Sequence, residues 1–155
     1  MPSFPFDLER VLIWLDHLCK PDLEHTPETA EQKDAFYRYL ACMERFSKQS
    51  KVYMKLSGGF SEIGDQDPSA AWPAEKVVER MKPWLDVLFR FFPPERIMFG
   101  SNWPVDNVRG PGEEHAWRSW QAVVARILEE YHLSDEAKDR IWYGTAIEAY
   151  TLDPI

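Results

Sequence analysis

The sequence predicts an α/β fold with about three parallel strands and flanking helices. Three short apolar runs, near residues 11–17, 51–57 and 96–101, are bounded by turn-forming residues. Runs of this length between turn signals are typical of buried strands in a parallel sheet. Longer stretches with helical spacing of apolar residues separate them. Because alternating strands and helices favour parallel pairing, we expect the three runs to lie in one sheet.

The first strand, residues 11–15, is apolar at every position, as in a strand covered on both faces. A helix is then predicted to begin with Thr26 as N-cap and Pro27 at the first helical position. Apolar residues recur at helical spacing up to about Ser47, where we expect the helix to end.

The second strand, residues 51–57, carries β-branched and aromatic residues and stops at the Gly58-Gly59 pair. Residues 59–73 are rich in Gly, Asp, Ser and Pro and are expected to form a long loop. Such a loop after a barrel strand either overhangs a functional site or is a flexible insertion.

The last third of the chain is predicted to be mostly helical. Residues 74–92 have a helical pattern in which Pro83 should introduce a kink or start a second helix. After the third strand, residues 106–112 are expected to be a Gly- and Pro-containing loop, followed by a helix over residues 113–131. Ser134 is the predicted N-cap of a final helix.

The composition is that of one acidic domain. The chain has 155 residues, of which 45% are hydrophobic, so we expect a single domain over 1–155 with an irregular segment at 1–10. The net charge of −8 argues against nucleic acid or an anionic membrane surface as a partner. No stretch has the pattern of a signal peptide or the length of a membrane span. The two cysteines lack metal-ligand spacing, and we expect a cytoplasmic protein.

Three motifs resemble one known family. Residues 96–105 read Arg-Ile-Met-Phe-Gly-Ser-Asn-Trp-Pro-Val, residues 15–21 read Leu-Asp-His-Leu-Cys-Lys-Pro, and residues 52–58 read Val-Tyr-Met-Lys-Leu-Ser-Gly. In this order they resemble the signatures of the amidohydrolase-related family of (β/α)8-barrel hydrolases, especially its sugar-lactonase branch. That family usually reads Asp-His-x-Gly-Lys-Pro and Arg-x-Met-x-Gly-Ser-Asp-Trp-Pro at two of these places. The resemblance extends over residues 11–152.

The resemblance implies a partial (β/α)8 TIM barrel. A complete barrel needs ~250 residues, so this chain has room for about the C-terminal half of one. We therefore expect a fragment, a truncated gene product, or a half-barrel that has become a small protein of its own. Two departures from the family stand out: Asn102 replaces an Asp, and nothing resembles the His-x-His of the family's first strand.

Two residues are the candidate catalytic groups. In the family, the Asp at the place of Asn102 is a general base, which an amide cannot be because it does not accept a proton near neutral pH. Asn102 either orients water or substrate, or satisfies the backbone at the strand end. His17 is expected at the carboxyl end of the first strand. There it either binds substrate and polarises a carbonyl group or makes a structural hydrogen bond.

Two further residues are candidate substrate-binding groups. Lys55 is a charge within a strand, either acting on an anionic or carbonyl group or keeping its ammonium in solvent along a packed stem. Trp103 either forms the flat wall of a sugar-sized pocket or closes the top of the core. Asp16 is expected to point toward the helices in a structural role. Asp106 is the only nearby carboxylate that could replace the absent base.

The resemblance implies a hydrolase that opens a lactone or a similar cyclic ester with an activated water. The alternative is a non-catalytic half-barrel remnant or interaction module. No metal is expected in this chain, because a metal site needs about three or four ligands and His17 with Asn102 is too few. Some members of the family bind a divalent metal such as zinc, while the lactonase branch resembles enzymes that work without one. The expected partner is a small lactone or sugar derivative, and the open barrel edges should favour self-association, aggregation or low stability.

Overall fold

Three parallel strands form the sheet at the centre of the molecule. The computed structural model of the protein describes residues 12–64 and 72–152. Strand β1 is Ile13–Leu15, β2 is Val52–Leu56 and β3 is Ile97–Phe99. The order is β1-β2-β3, and β2 pairs in parallel with both neighbours. The predicted set of three parallel strands is thereby confirmed.

Helices follow each strand. The α-helices, in chain order, are α1 (Ala30–Ser47), α2 (Gly59–Glu62), α3 (Ala74–Phe91), α4 (Val105–Val108), α5 (Ala116–Glu130), α6 (Asp135–Asp139) and α7 (Thr145–Ala149). One π-helical turn, Arg140–Gly144, joins α6 to α7. The side chain of Ser134 accepts a hydrogen bond from the Ala137 amide, which confirms the predicted cap of the last helix.

The main core lies between one face of the sheet and the long helices. Met54 and Leu56 of β2 are fully buried there. Side chains from α1, α3 and α5 complete this core, among them Met43, Met81, Leu85, Leu88, Trp120, Val124 and Ile127. Because side chains alternate along a strand, Tyr53 and Lys55 belong to the other face of the sheet. On that face a much smaller cluster joins Tyr53 and Met98 to Ala149 of α7.

The first long helix begins later than predicted. Thr26 is not its N-cap; the cap is Thr29, whose side chain accepts from the Gln32 amide while the Gln32 side chain accepts from the Thr29 amide. This capping box needs Gln or Glu three residues after the Thr. Of Thr26 and Thr29, only Thr29 meets that condition. The helix ends at Ser47, where the spacing of apolar residues placed its end.

Pro83 does not divide the third long helix. Helix α3 is continuous through it, so the predicted start of a second helix at Pro83 is wrong. Met81 and Leu85, on either side of the proline, are both fully buried in the main core. A proline inside a helix costs ~3 kcal/mol, and burial of two such side chains is worth a similar amount.

The loop predicted over residues 106–112 is partly helical, since α4 occupies its first residues. Likewise, α2 occupies the start of the loop predicted over 59–73. The proposed overhang of that loop, the irregular segment 1–10 and the beginning of the first strand at Val11 lie outside the described residues. In the part of the chain that the structure describes, no helix is both long and apolar enough to cross a membrane.

Candidate functional site

The carboxyl ends of β1 and β2 are joined by a hydrogen bond between His17 and Ser57. The His17 Nδ1 lies 2.9 Å from the Ser57 Oγ. Ser57 is almost fully buried, and His17 is half-buried. Burial lowers the pKa of His17, and the nearby Asp16 carboxylate opposes this effect. The imidazole therefore favours its neutral form, with one ring nitrogen held by Ser57.

The backbone around His17 is unusual. All four residues from His17 to Lys20 have a positive φ, a conformation that non-glycine residues rarely adopt. Gly58, with φ +71°, packs directly against the imidazole: a Cβ at this position would lie 2.8 Å from the His17 Nδ1. The Ser-Gly dipeptide after β2 thus supplies both the hydroxyl that holds the ring and the space that the ring occupies.

Lys55 is engaged in an ion pair. Its Nζ lies 2.8 Å from the Asp16 Oδ1 and 5.7 Å from the centre of the Tyr150 ring. Burial alone would lower the pKa of Lys55, but the contacts with Asp16 and Tyr150 leave it above the usual value. The expectation that Asp16 points toward the helices is therefore wrong. Leu15 packs against the main core, so alternation along β1 puts the next residue, Asp16, on the opposite face, where the ammonium of Lys55 pairs with it.

A second polar cluster lies beyond the end of β3. The Asn102 Nδ2 donates to the Asp106 Oδ1 at 2.7 Å and to the Ser61 Oγ at 3.3 Å. Asn102 has φ +57°, in the left-handed region that asparagine tolerates better than most residues. The cluster joins the loop after β3 to α2, which follows β2. Asn102 has no hydrogen bond to His17 or Lys55 among the described residues.

Asp106 is a buried carboxylate. It is 1% exposed, and its Oδ2 has no hydrogen-bond partner among residues 12–64 and 72–152. Burial raises its pKa to about 6, against hydrogen bonds from the Asn102 side chain and the Ser61 backbone, which lower it. The neighbouring Glu62 carboxylate adds to the increase. Asp106 therefore changes its charge near neutral pH, unlike an ordinary aspartate.

The two clusters meet where β2 and β3 end. Gly100 passes so close to Ser57 that a Cβ at position 100 would lie 3.0 Å from the Ser57 Cβ. Ser57 belongs to the first cluster and Gly100 leads directly to Asn102 in the second. The structure therefore brings both to one edge of the sheet, the carboxyl end, where ligands bind in α/β sheets and barrels.

Trp103 stands apart from both clusters. It is 73% exposed, so the interpretation that it closes the top of the core is wrong. It follows Ser101 and Asn102 and precedes a cis peptide bond to Pro104. Together with Ser101, Asn107 and Trp117 it lines a cavity of about 330 Å³. Two exposed indole rings beside polar groups offer a flat apolar surface to a ligand.

The donor set does not fit a metal ion. Among residues 12–64 and 72–152, no three His, Cys, Asp or Glu side chains come together in a way that could hold one. His17 is hydrogen-bonded to Ser57, and Asn102 offers an amide rather than a carboxylate. The residues of this chain that the structure describes therefore do not form a zinc site by themselves, since zinc needs three or four protein ligands.

Sequence reasoning singled out His17, Lys55, Asn102 and Trp103 and missed the residues that hold them. Ser57 was part of a recognised motif, and its place at the strand end on the face of Lys55 is the signal that could have identified it. Ser61, in α2, carried no such signal. These groups become visible as partners only when the strand ends are brought together in space.

The fold and the strand-end polar groups define a partial α/β barrel with a carboxyl-end site. The chain matches the Amidohydrolase family model over residues 6–152 and belongs to that family. It is 31% identical over 139 residues to L-rhamnono-gamma-lactonase of Scheffersomyces stipitis, covering 89% of this chain and 40% of that protein. It is 26% identical over 145 residues to L-fucono-1,5-lactonase of Burkholderia ambifaria, covering 93% of this chain and 43% of that protein.

Solved structures agree with this assignment. An amidohydrolase from Burkholderia multivorans with bound HEPES superposes with a TM-score of 0.72 at 29% identity, over 92% of this chain and 45% of that one. The structure with bound zinc gives 0.70 at 30% identity, over 92% and 44%. The chain thus spans less than half the length of the relatives that it matches. The resemblance to the amidohydrolase-related hydrolases and their sugar-lactonase branch is confirmed.

Proposed function

We propose that this chain carries part of the site of a hydrolase that opens a sugar lactone, a cyclic ester, with water. The observation that supports it most is the meeting of two polar clusters, His17 with Ser57 and Asn102 with Asp106, at the carboxyl edge of the sheet. Two relatives are sugar lactonases. Addition of water across the ester bond gives one hydroxyl group and one carboxylic acid, with no other reactant.

In this proposal His17 polarises the lactone carbonyl. When the Ser57 hydroxyl donates to Nδ1, the proton of the neutral ring sits on Nε2, which is then a donor for the carbonyl oxygen. The lowered pKa of His17 supports this neutral form. A hydrogen bond to that oxygen strengthens as negative charge develops on it, and so it favours attack by water.

Lys55 and Trp103 are proposed to bind the substrate. The Lys55 ammonium adds positive charge to the face of the sheet that lies away from the main core, although its ion pair with Asp16 reduces its reach. Trp103 and its cavity offer an apolar surface to the sugar ring.

Asn102 limits the proposed reaction. Its amide oxygen can accept a hydrogen bond from water and orient it, but it cannot take a proton near neutral pH. A general base typically contributes ~10²- to 10⁴-fold, so hydrolysis with Asn102 should be slow. Zinc is present in a structure of the Burkholderia multivorans amidohydrolase. The residues of this chain that the structure describes do not form a site for it by themselves.

A non-catalytic role is the second candidate, and the sheet supports it. In the described part of the chain, β1 and β3 each pair only with β2, which leaves one edge of each without a strand. On the face away from the main core, Trp14 stacks on Tyr150 while both rings remain more than a third exposed. We propose that this face and these edges associate with another barrel segment or a second copy of the chain.

Lactone hydrolysis tests the catalytic proposal. The chain would be joined to the part of Scheffersomyces stipitis L-rhamnono-gamma-lactonase that it does not span, and opening of L-rhamnono-gamma-lactone would be followed by acid release. His17→Ala should lower kcat/KM by ~10²-fold or more. His25→Ala is the matched control, since His25 is exposed and, among the described residues, its side chain has a hydrogen bond only with Asp22. Equal activity of the two variants, or no turnover by the joined protein, would contradict the proposed function.

A further inference from the structure

Asp106 is the one buried carboxylate among the described residues, and the proposed roles leave its environment unexplained. A buried, unpaired polar atom lowers the stability of a protein by ~1–3 kcal/mol. Within the part of the chain that the structure describes, the Asp106 Oδ2 is such an atom, and its Oδ1 accepts from the Asn102 Nδ2 at 2.7 Å. The short distance is typical of a charge-assisted hydrogen bond.

The amide of Asn102 is fixed in one orientation by its two acceptors. Its Nδ2 has two hydrogens, one for Asp106 Oδ1 and one for Ser61 Oγ. The Asn102 Oδ1 is therefore left to face away from both. Without a carboxylate at position 106, the two ends of the amide would compete for these partners, and the oxygen would lose its defined direction.

We propose that Asp106 is a positioning residue that holds the Asn102 amide so that its oxygen, not its nitrogen, is presented to the attacking water. This inference rests on the proposed function for its meaning, but the coupling of the two residues exists whether or not the chain hydrolyses a lactone. Asp106 is 1% exposed and so does not contact substrate itself. Its carboxylate contacts Asn102, which stands at the position where the family has its base.

The charges around Asp106 come from few groups. Glu62 of α2 is the charged neighbour that affects it, and Glu62 is itself paired with Lys20 at 2.5 Å. The ionisation of Asp106 should therefore follow one transition, near its raised pKa of about 6. When the carboxylate takes a proton, its hydrogen bond to Asn102 changes from charge-assisted to neutral. The chemical shifts of the Asn102 side-chain amide protons should change as a result.

The test is a pH titration of side-chain amides by NMR on the chain as it exists. The sequence has only two asparagines, Asn102 and Asn107, so assignment requires one variant, Asn102→Ala. We expect the chemical shifts of the Asn102 Nδ2 protons to change with pH around a midpoint near 6, and the chemical shifts of the Asn107 side-chain amide to change much less. Asp106→Asn keeps the shape of the side chain and should abolish the Asn102 titration.

Each outcome decides the proposal. An Asn102 signal that does not titrate between pH 4 and 8, or that titrates equally in Asp106→Asn, would overturn it; the wild-type titration needs no variant to fold. In the joined lactonase, Asp106→Ala should lower kcat on the order of tenfold with little change in KM, because misplacement affects the transition state. Coupling of the two side chains without any lactone turnover would confirm that Asp106 holds the Asn102 amide, and it would overturn the proposed function together with the role toward an attacking water.

Discussion

The two faces of the sheet differ in how they are covered. On one face, Met54 and Leu56 lie in a large core closed by three long helices. On the other, Tyr53 and Met98 share a small cluster with α7, and Lys55 forms an ion pair beside half-exposed aromatic rings. In a barrel the first face packs on the helical layer and the second faces the interior. The comparison indicates that the face under the helices provides most of the stability. The candidate site lies at the carboxyl ends of the strands, beside the less covered face.

The largest effect is expected in the core under the helices. Trp120 is fully buried, and its Nε1 donates to the Gly100 carbonyl at 2.9 Å. Trp120→Ala should lower the free energy of unfolding by ~3–5 kcal/mol, as removal of a large buried side chain does. Trp117, on the same helix, is 51% exposed and is the matched control. Chemical denaturation should separate the two, and similar losses would contradict the assignment of the core.

A smaller, pH-dependent effect is expected at Asp106. Its folded pKa of about 6 lies above the usual 3.8, so the folded state holds the proton more tightly. The stability from this group is present at low pH and is lost as pH rises through 6. Between pH 4 and 7, the loss should be about 2–3 kcal/mol.

Asp106→Asn should therefore unfold with a flatter pH dependence than the wild type. Asp135→Asn is the control, because the Asp135 side chain is fully exposed. The measurement is urea denaturation at several pH values. Parallel pH profiles for the wild type and Asp106→Asn would show that Asp106 does not carry the raised pKa.

The smallest effect is expected on the less covered face. Tyr150 stacks on Trp14 with ring centres 5.1 Å apart and lies against Lys55. Tyr150→Ala should cost ~1 kcal/mol, the scale of a partly exposed aromatic pair. Tyr143→Ala, at another exposed ring, should have less effect in the same denaturation experiment. A loss at Tyr150 as large as that at Trp120 would remove the difference between the two faces.

The sequence was sufficient for the parts of the fold that rest on local patterns. The three strands, the end of α1 at Ser47 and the cap at Ser134 follow from apolar spacing and turn chemistry. The start of α1 could also have been predicted from the sequence, because Thr29 and Gln32 have the spacing of a capping box. The continuity of α3 through Pro83 could not, because it depends on packing between distant helices.

The site was harder to predict. His17 and Asn102 were found through motifs, but the motifs do not say which groups hold them. Asp106 looked like a loop residue, and only its burial and its contact with Asn102 show its importance. The predicted orientation of Asp16 was wrong because the two faces of β1 were exchanged: Leu15 packs against the helices, so alternation places Asp16 on the face of Lys55.

The central claim is that this site has its carboxylate at Asp106, in contact with Asn102, and not at position 102 itself. Lactone hydrolysis by a variant in which these two side chains are exchanged tests the claim most directly. In the joined lactonase, Asn102→Asp alone would bring two carboxyl groups into contact, because the Asn102 Nδ2 now lies 2.7 Å from the Asp106 Oδ1. Such a pair shares a proton and is a poorer base near neutral pH. The double variant N102D/D106N keeps one amide and one carboxylate and should exceed the wild-type rate by ~10²- to 10⁴-fold. Equal rates for the double variant and the wild type would contradict the claim.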